Sequence, residues 1–408
     1  MRWSCGILLP ALLSHRNRSN IGRMVAMPIR AGRDRALTSD AATAQNRPHR
    51  INGTKGCMSQ DAEIICELRG AAGVVLLDRP KALNALSFGM VRELSRALDA
   101  WEHDPRVERV VVASTSDRAF CAGGDIRALH DLGKAGRYDE MLAFWREEYA
   151  LNARIKTYPK PYVALIDGIV MGGGVGISLH GGHRIAGDRF LFAMPEVSIG
   201  FFPDVGATYA LPRLPGACGI YLALTGDRVG AADALACGLA THAVPSARMA
   251  ELADALTRRG ALDEILAGFT HDPGPPKLAA ERATIAECFG AGSLPELLAR
   301  LDAAAAADSG FADKVRRTLA AKSPTSVAIA FEQMQRGATM DFAEAMRTEF
   351  RIVSRIIRGH DFYEGVRAVV IDKDQAPQWR PASIAALDPA AITAYFAPLG
   401  AGEPALEA

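Results

Sequence analysis

Twice along this chain, at Ala119-Phe-Cys-Ala-Gly-Gly-Asp and at Met171-Gly-Gly-Gly-Val-Gly, an apolar β-branched run ends in clustered glycines and then gives way to a helical pattern. Strand, glycine turn and helix in that order read as an α/β fold in which helices cover the faces of a sheet. The flanking segments agree. Ile64-Ile-Cys-Glu-Leu and Gly73-Val-Val-Leu-Leu-Asp are short runs bounded by Gly and Pro, which predicts paired strands. Val107 to Ser114 and Tyr162-Val-Ala-Leu-Ile-Asp read as buried strands, while Ser87 to Trp101, Tyr138 to Thr157 and Val175 to His180 read as helices.

Past about residue 245 the strand signals fade, and Ala/Leu/Arg/Glu-rich amphipathic stretches continue to about 357. This divides the chain into an α/β core over 58–245, a mainly helical C-terminal region over 246–398, and a flexible tail over 399–408. Within the helical region, Gly359 to Pro381 carries the apolar run Ala368-Val-Val-Ile together with Trp379, so it is expected to dock on the core.

The first 57 residues stand apart: nine arginines and one lysine face only Asp34 and Asp40, with no sustained amphipathic period. They read as a disordered extension, either a mitochondrial transit peptide or translation from a start codon placed too far upstream, with Met24, Met27 and Met58 as other starts. The Ala- and Arg-heavy composition favours the second reading and a bacterial cytoplasm; the first would place the protein in the mitochondrial matrix.

Composition limits the function classes. With 23% charged residues and a net charge of +1, nothing suggests a nucleic-acid partner, and no apolar run reaches the 18 to 20 or so residues that would span a bilayer. The seven cysteines, at 5, 57, 66, 121, 218, 237 and 288, lack CxxC spacing, which argues against a zinc site and a disulfide framework. No metal site is expected, and His180 and His183 are not spaced as a ligand pair.

The two glycine turns can do chemistry that most turns cannot. Glycine lets backbone N–H groups face a ligand unobstructed, and a following helix adds partial positive charge. Two such turns meeting would form an anion pocket suited to the charge that develops on an attacked carbonyl oxygen. For either motif alone, tight turning explains the glycines equally well. Dinucleotide binding is ruled out by Ile177 standing where a third glycine belongs, no Walker lysine is present, and the GxSxG elbow is absent.

Phe190 to Gly206 holds two acids, Glu196 and Asp204, each directly after a proline and among bulky apolar neighbours. Pro195, Gly200 and Pro203 prevent a continuous helix, so both carboxyls belong on loops or helix starts beside an apolar pocket. Desolvation there would raise a carboxyl pKa into the range useful for acid–base work. Asp204 is equally well explained as a helix cap, Asp125 is read as the cap of the Ile126 helix, and Cys121 as packing. Glu147 and Glu148 read by pattern as a solvated helix face.

Taken together, Asp78-Arg-Pro-Lys-Ala-Leu-Asn-Ala-Leu, Ala119-Phe-Cys-Ala-Gly-Gly-Asp-Ile and Met171-Gly-Gly-Gly resemble the successive signatures of the crotonase (enoyl-CoA hydratase/isomerase) superfamily. That resemblance implies a crotonase-like spiral of ββα units and an oxyanion hole from the N–H groups of Gly124 and Gly173. It places the CoA adenine near Ala122, the pantetheine between the two turns and Lys81 near the phosphates. Family hydratases use two glutamates, the first lying two residues beyond the glycine triplet; that position here is Gly176.

Arg146-Glu-Glu-Tyr-Ala-Leu-Asn, Met194-Pro-Glu-Val-Ser-Ile-Gly-Phe-Phe-Pro-Asp-Val-Gly and His360-Asp-Phe-Tyr-Glu-Gly-Val-Arg-Ala are similar to the 3-hydroxyisobutyryl-CoA hydrolase branch, as is Ile371-Asp-Lys-Asp-Gln-Ala-Pro-Gln-Trp. The similarity implies that Glu148, Gly173, Glu196 and Asp204 occupy catalytic or substrate-binding positions. It further implies hydrolysis of a small 3-hydroxyacyl-CoA in valine breakdown, with no cofactor beyond the CoA of the substrate. Simple crotonases form trimers, so homo-oligomerisation is an open expectation.

Overall fold

Each repeat of the core sends one strand into each of two sheets before reaching its turn. In the computed structural model, which describes residues 63–406, β3 (Arg109–Ser114), β5 (Tyr162–Ile166) and β7 (His183–Ala186) lie in a six-stranded sheet. Their partners β4 (Ala119–Cys121), β6 (Ile169–Met171) and β8 (Leu191–Ala193) form a second sheet of three. The larger sheet is completed by β1 (Ile64–Arg69), β2 (Ala72–Leu77) and β9 (His242–Ala243), in the order β1-β2-β3-β5-β7-β9. Within this sheet, among the described residues, β1–β2 is antiparallel and the other pairs are parallel.

This is the spiral of ββα units, and it explains why distant sequence segments converge. The strands β4, β6 and β8 are parallel neighbours, Cys121 pairing with Val170 and Met171 with Ala193. Adjacent strands lie about 4.8 Å apart. Whatever follows the C-terminal ends of these three strands is therefore delivered side by side: residues 122–125, 172–176 and 194–196.

The central strands are long apolar runs because both sheet faces are covered. One side of the large sheet packs on the main core, with Tyr149, Phe120, Tyr162 and Phe202 fully buried. The other side, through Val74, Val111, Val163 and Ile185, meets Leu252, Leu256 and Leu266 from the helices Met249–Leu256 and Leu262–Ala267.

Helix α1 (Phe88–Glu102) begins at Ser87, whose side chain accepts from the Met90 N–H, and buries Met90, Val91, Leu94, Leu98 and Trp101 along one stripe. Helix α2 (Ile126–Lys134) is capped by Asp125. Helix α3 (Tyr138–Lys156) is long, while α4 (Gly173–Gly176) is a single turn. The helix expected over Val175 to His180 is thus shorter and earlier, because Gly172 starts it.

The described residues form one compact unit. Helices from Met249 to Ile356 and onward pack on the core as part of it, and Trp379 donates to the Ala321 carbonyl at 3.1 Å. The end of the chain corrects the expected flexible tail. Glu403 pairs with Arg351 at 2.7 Å, Arg146 donates to the Gly402 carbonyl at 3.0 Å, and Leu406 packs on the main core. One acid and one leucine suffice to anchor it. The extension 1–57 lies outside the described residues.

Candidate active site

The first glycine turn is fastened to the segment before α1. Ala122 N–H donates to Leu83, Leu86 N–H to Gly123 and Asp125 N–H to Leu86, at 3.0, 2.8 and 2.9 Å. This ladder takes the groups on either side of Gly124 and leaves the Gly124 N–H outside it. Gly173 is the first residue of α4, so its N–H has no acceptor within the helix. The two meet: a Cβ built on Gly173 would sit 3.3 Å from the Gly124 nitrogen. Gly172, at φ +45°, makes the sharp entry that turns the chain from β6 into α4.

Carboxylates approach the same two glycines. A Cβ on Gly172 would lie 3.1 Å from Glu196 Oε1, and one on Gly173 would lie 2.7 Å from Glu148 Oε1. Both acids are buried, and Glu196 Oε2 and Glu148 Oε1 have no hydrogen-bond partner in the protein. Glu196 opens a short 3-10 turn, Glu196–Ile199, directly after Pro195. Burial first, and the charge of Asp204 second, hold its carboxyl well above the usual range. Burial, then Asp204 and Glu349, do the same to Glu148.

Asp204 is not a helix cap. The short helix α5 (Ala207–Ala210) starts at Gly206, whereas the Asp204 carboxylate accepts from the Tyr149 hydroxyl at 2.9 Å. Burial pushes its pKa up to about 7, the hydroxyl opposing. The loop that carries it is held from several sides. His180 Nε2 lies 2.6 Å from the Val205 carbonyl, which accepts. Burial lowers the His180 pKa to about 4, so the ring is neutral. Gln333 donates to Pro203 at 2.5 Å, and Glu349 accepts from Gly206 and Thr208 N–H at 2.8 and 3.0 Å. These contacts hold Val205 at φ +54°, a conformation that β-branched residues avoid.

One cavity of about 170 Å³ is lined by Ala122, Gly124, Glu148, Gly173, Glu196 and Asp204. Its remaining wall is largely apolar, with Trp145 stacked on Phe201 at 5.5 Å between ring centroids. A larger cavity of about 530 Å³ shares Leu129 and Phe144 with it. Lys81 is not on the cavity wall; it is exposed on the short turn Pro80–Ala82. Cys121 is fully buried, and burial pushes its thiol up to about 12, in line with packing.

Pattern reading placed Glu148 on a solvated face; it is 2% exposed. Gln333, Glu349, His180 and Tyr149 were missed as supports of Asp204. Two of the buried acids carried a readable signal. Glu148 follows Met141, Phe144 and Trp145 at helical spacing, and Glu349 sits between Ala345, Met346, Ile352 and Val353 in the same phase. An acid inside an apolar stripe is a buried acid.

Residues 72–396 match the model of the enoyl-CoA hydratase/isomerase family. The 3-hydroxyisobutyryl-CoA hydrolase, mitochondrial, of Danio rerio is 43% identical over 371 residues, 86% of this chain and 94% of its own length. The Homo sapiens protein of that name is 40% identical, covering 84% of this chain and 90% of its own. Among solved structures, a carnitinyl-CoA dehydratase from Mycobacterium thermoresistibile superposes with a TM-score of 0.80 at 39% identity, over 85% of this chain and 99% of that one. An enoyl-CoA hydratase from Rhodobacter sphaeroides 2.4.1 gives 0.79 at 41%, over 84% and 99%. With the spiral of ββα units, the paired glycine turns and the signature motifs in one chain, this protein belongs to the enoyl-CoA hydratase/isomerase family and, within it, to the 3-hydroxyisobutyryl-CoA hydrolase branch.

Proposed function

We propose that the protein hydrolyses the thioester of a small 3-hydroxyacyl-CoA, foremost 3-hydroxyisobutyryl-CoA, to CoA and the free 3-hydroxy acid, a step of valine breakdown. The observation that carries this is the placing of Glu196 Oε1 over Gly172, beside the paired N–H groups of Gly124 and Gly173. Those N–H groups receive the thioester oxygen as negative charge grows on it. Glu196 either attacks the carbonyl carbon or takes a proton from the water that does. The C–S bond then breaks, and the CoA sulfur leaves as the thiol after gaining a proton. Glu148 and Asp204 orient the acyl group and hold its 3-hydroxyl. The pantetheine arm runs between the two glycine turns, with Ala122 toward the adenine and Lys81 toward the phosphates. The reaction as proposed draws on no cofactor apart from the CoA carried by the substrate.

Both solved relatives are named for adding or removing water at a carbon–carbon bond, so hydration is the competing reading. Against it stands Gly176. The space a side chain would fill there is taken, since a Cβ would lie 2.8 Å from both Asn152 Nδ2 and Val205 Cβ.

Glu196→Gln tests the proposal: thiol release should fall by about 10³-fold or more while acyl-CoA binding is kept. Undiminished thiol release would remove Glu196 from its role, and enoyl-CoA hydration without thiol release from the unaltered protein would replace hydrolysis. For compartment, the Arg-rich segment before residue 58 is a matrix leader if the protein shares the location in its relatives' names. It precedes the true start if the protein is bacterial and cytoplasmic; sequencing the mature N-terminus decides.

A further inference from the structure

Away from the thioester cavity, two helices bring two cysteines together. Cys218 is the first residue of α6 (Cys218–Thr225) and Cys237 the last of α7 (Ala231–Cys237). Their sulfurs are 3.0 Å apart. An S–S bond is about 2.05 Å, so roughly 1 Å of approach separates contact from bonding.

We infer that Cys218 and Cys237 form a redox-active dithiol, closed to a disulfide by a small hydroperoxide and reopened by thiol reductant. Both residues line a cavity of about 100 Å³ that also holds Asp233, Arg282 and Ile285, room for peroxide and not for a bulky disulfide. This cavity shares no wall residue with the thioester site. The Cys218–Cys237 contact, in which either thiol can donate, and the charge of Arg282 lower the Cys237 thiol, while burial and Asp233 raise it. Cys66, Cys121 and Cys288 are pushed the other way by burial. Either sulfur of the pair can attack, and the other then resolves it.

One of the two thiolates attacks a peroxide oxygen, the O–O bond breaks, and a sulfenic acid and hydroxide result. The other sulfur then attacks the sulfenic sulfur; the S–S bond forms, the S–O bond breaks, and the leaving hydroxide takes up the second thiol's proton as water. Two thiols are oxidised and one hydroperoxide is reduced. The Cys218 end of α6 moves with this chemistry, and past its other end Gly226 packs on Pro195: a Cβ there would lie 2.9 Å from Pro195 Cα, next to Glu196.

The full-length protein, treated with a few equivalents of hydrogen peroxide and then alkylated, is digested without reduction and mapped by mass. The expected result is one cross-linked peptide pair joining Cys218 and Cys237, two hydrogens lighter than the thiol forms and lost on dithiothreitol treatment. In Cys218→Ala and in Cys237→Ala, the cysteine of the pair that remains should be captured as the dimedone adduct of its sulfenic acid. If both cysteines stay alkylatable in the unaltered protein while Cys66 is oxidised, or if either of the pair goes to sulfinic acid without cross-linking, the inference is wrong. The cross-link is sought in the unaltered chain, so its presence or absence does not depend on whether a variant folds.

Discussion

The Tyr149 hydroxyl donates to Asp204 Oδ2 at 2.9 Å, and both residues are buried. That bond works against burial, which otherwise drives the Asp204 carboxyl upward. Tyr149→Phe removes the counterweight and raises Asp204 further, so less of it is ionised near neutral pH. Measured as kcat/KM together with Asp204→Asn and the double variant, the pair should show a coupling of about 1–3 kcal/mol. Strictly additive losses would make the bond incidental to turnover.

The same acid bears on Glu196. As nucleophile or base Glu196 must be ionised, so kcat/KM should climb with pH through a value well above the ordinary carboxylate range. Burial is the larger cause of that elevation and the charge of Asp204 the smaller. Asp204→Asn removes the smaller cause, and the ascending limb should move to lower pH even as the plateau rate drops. A limb that stays put or moves upward would show that the two acids do not sense one another.

Glu196 and Asp204 were legible in the sequence because each follows a proline in a segment too broken for helix and too apolar for an exposed loop. The two glycine turns were legible because glycine clusters between strand and helix patterns have few uses. What local pattern could not supply was the second sheet. The three-residue strands β4, β6 and β8 are too short for a periodic signal, yet their parallel pairing sets Gly124, Gly173 and Glu196 side by side. Only the likeness to a family announced that arrangement. Glu349 stayed hidden for a different reason: its partners, the Gly206 and Thr208 N–H groups, are some 140 residues away, at separations of 143 and 141.

Gly173 has no room for a side chain. Alanine there would bring a methyl to 2.7 Å from Glu148 Oε1, 3.0 Å from Leu86 Cδ1 and 3.3 Å from the Gly124 nitrogen. The two turns must then part, and the N–H pair loses its common focus. Gly173→Ala should cut kcat by about 10²–10³-fold, the scale of a lost oxyanion donor. Loss confined to KM would place the glycine in binding alone.

Gly176→Glu restores the acid position of family hydratases, and the packing says it will not restore the activity. Its Cβ meets Asn152 Nδ2 of α3 and Val205 Cβ, next to Asp204, each at 2.8 Å. Overpacking of this kind costs about 1–3 kcal/mol. The variant should lose thioesterase activity, unfold at lower urea and gain no hydration of enoyl-CoA; appearance of hydration at an unchanged urea midpoint would refute the packing argument.

Glu349 gives stability a pH dependence opposite to that of most carboxylates. It is fully buried, and burial, with the charge of Asp204, raises its pKa from 4.5 to about 8 in spite of the two backbone N–H groups it accepts. Between those values the unfolded chain has released the proton and the native protein still holds it, so each step up in pH favours unfolding. The folded state should therefore lose stability, on the order of a few kcal/mol, as pH rises from about 4.5 to about 8. Glu349→Gln cannot ionise and keeps only one acceptor for the Gly206 and Thr208 N–H groups, a fixed loss of about 1 kcal/mol or more. At pH 5.5 or so the variant should be the less stable protein by urea unfolding, and the gap should narrow or invert near pH 8.5. A gap that is the same at both pH values would mean Glu349 takes up no extra proton on folding.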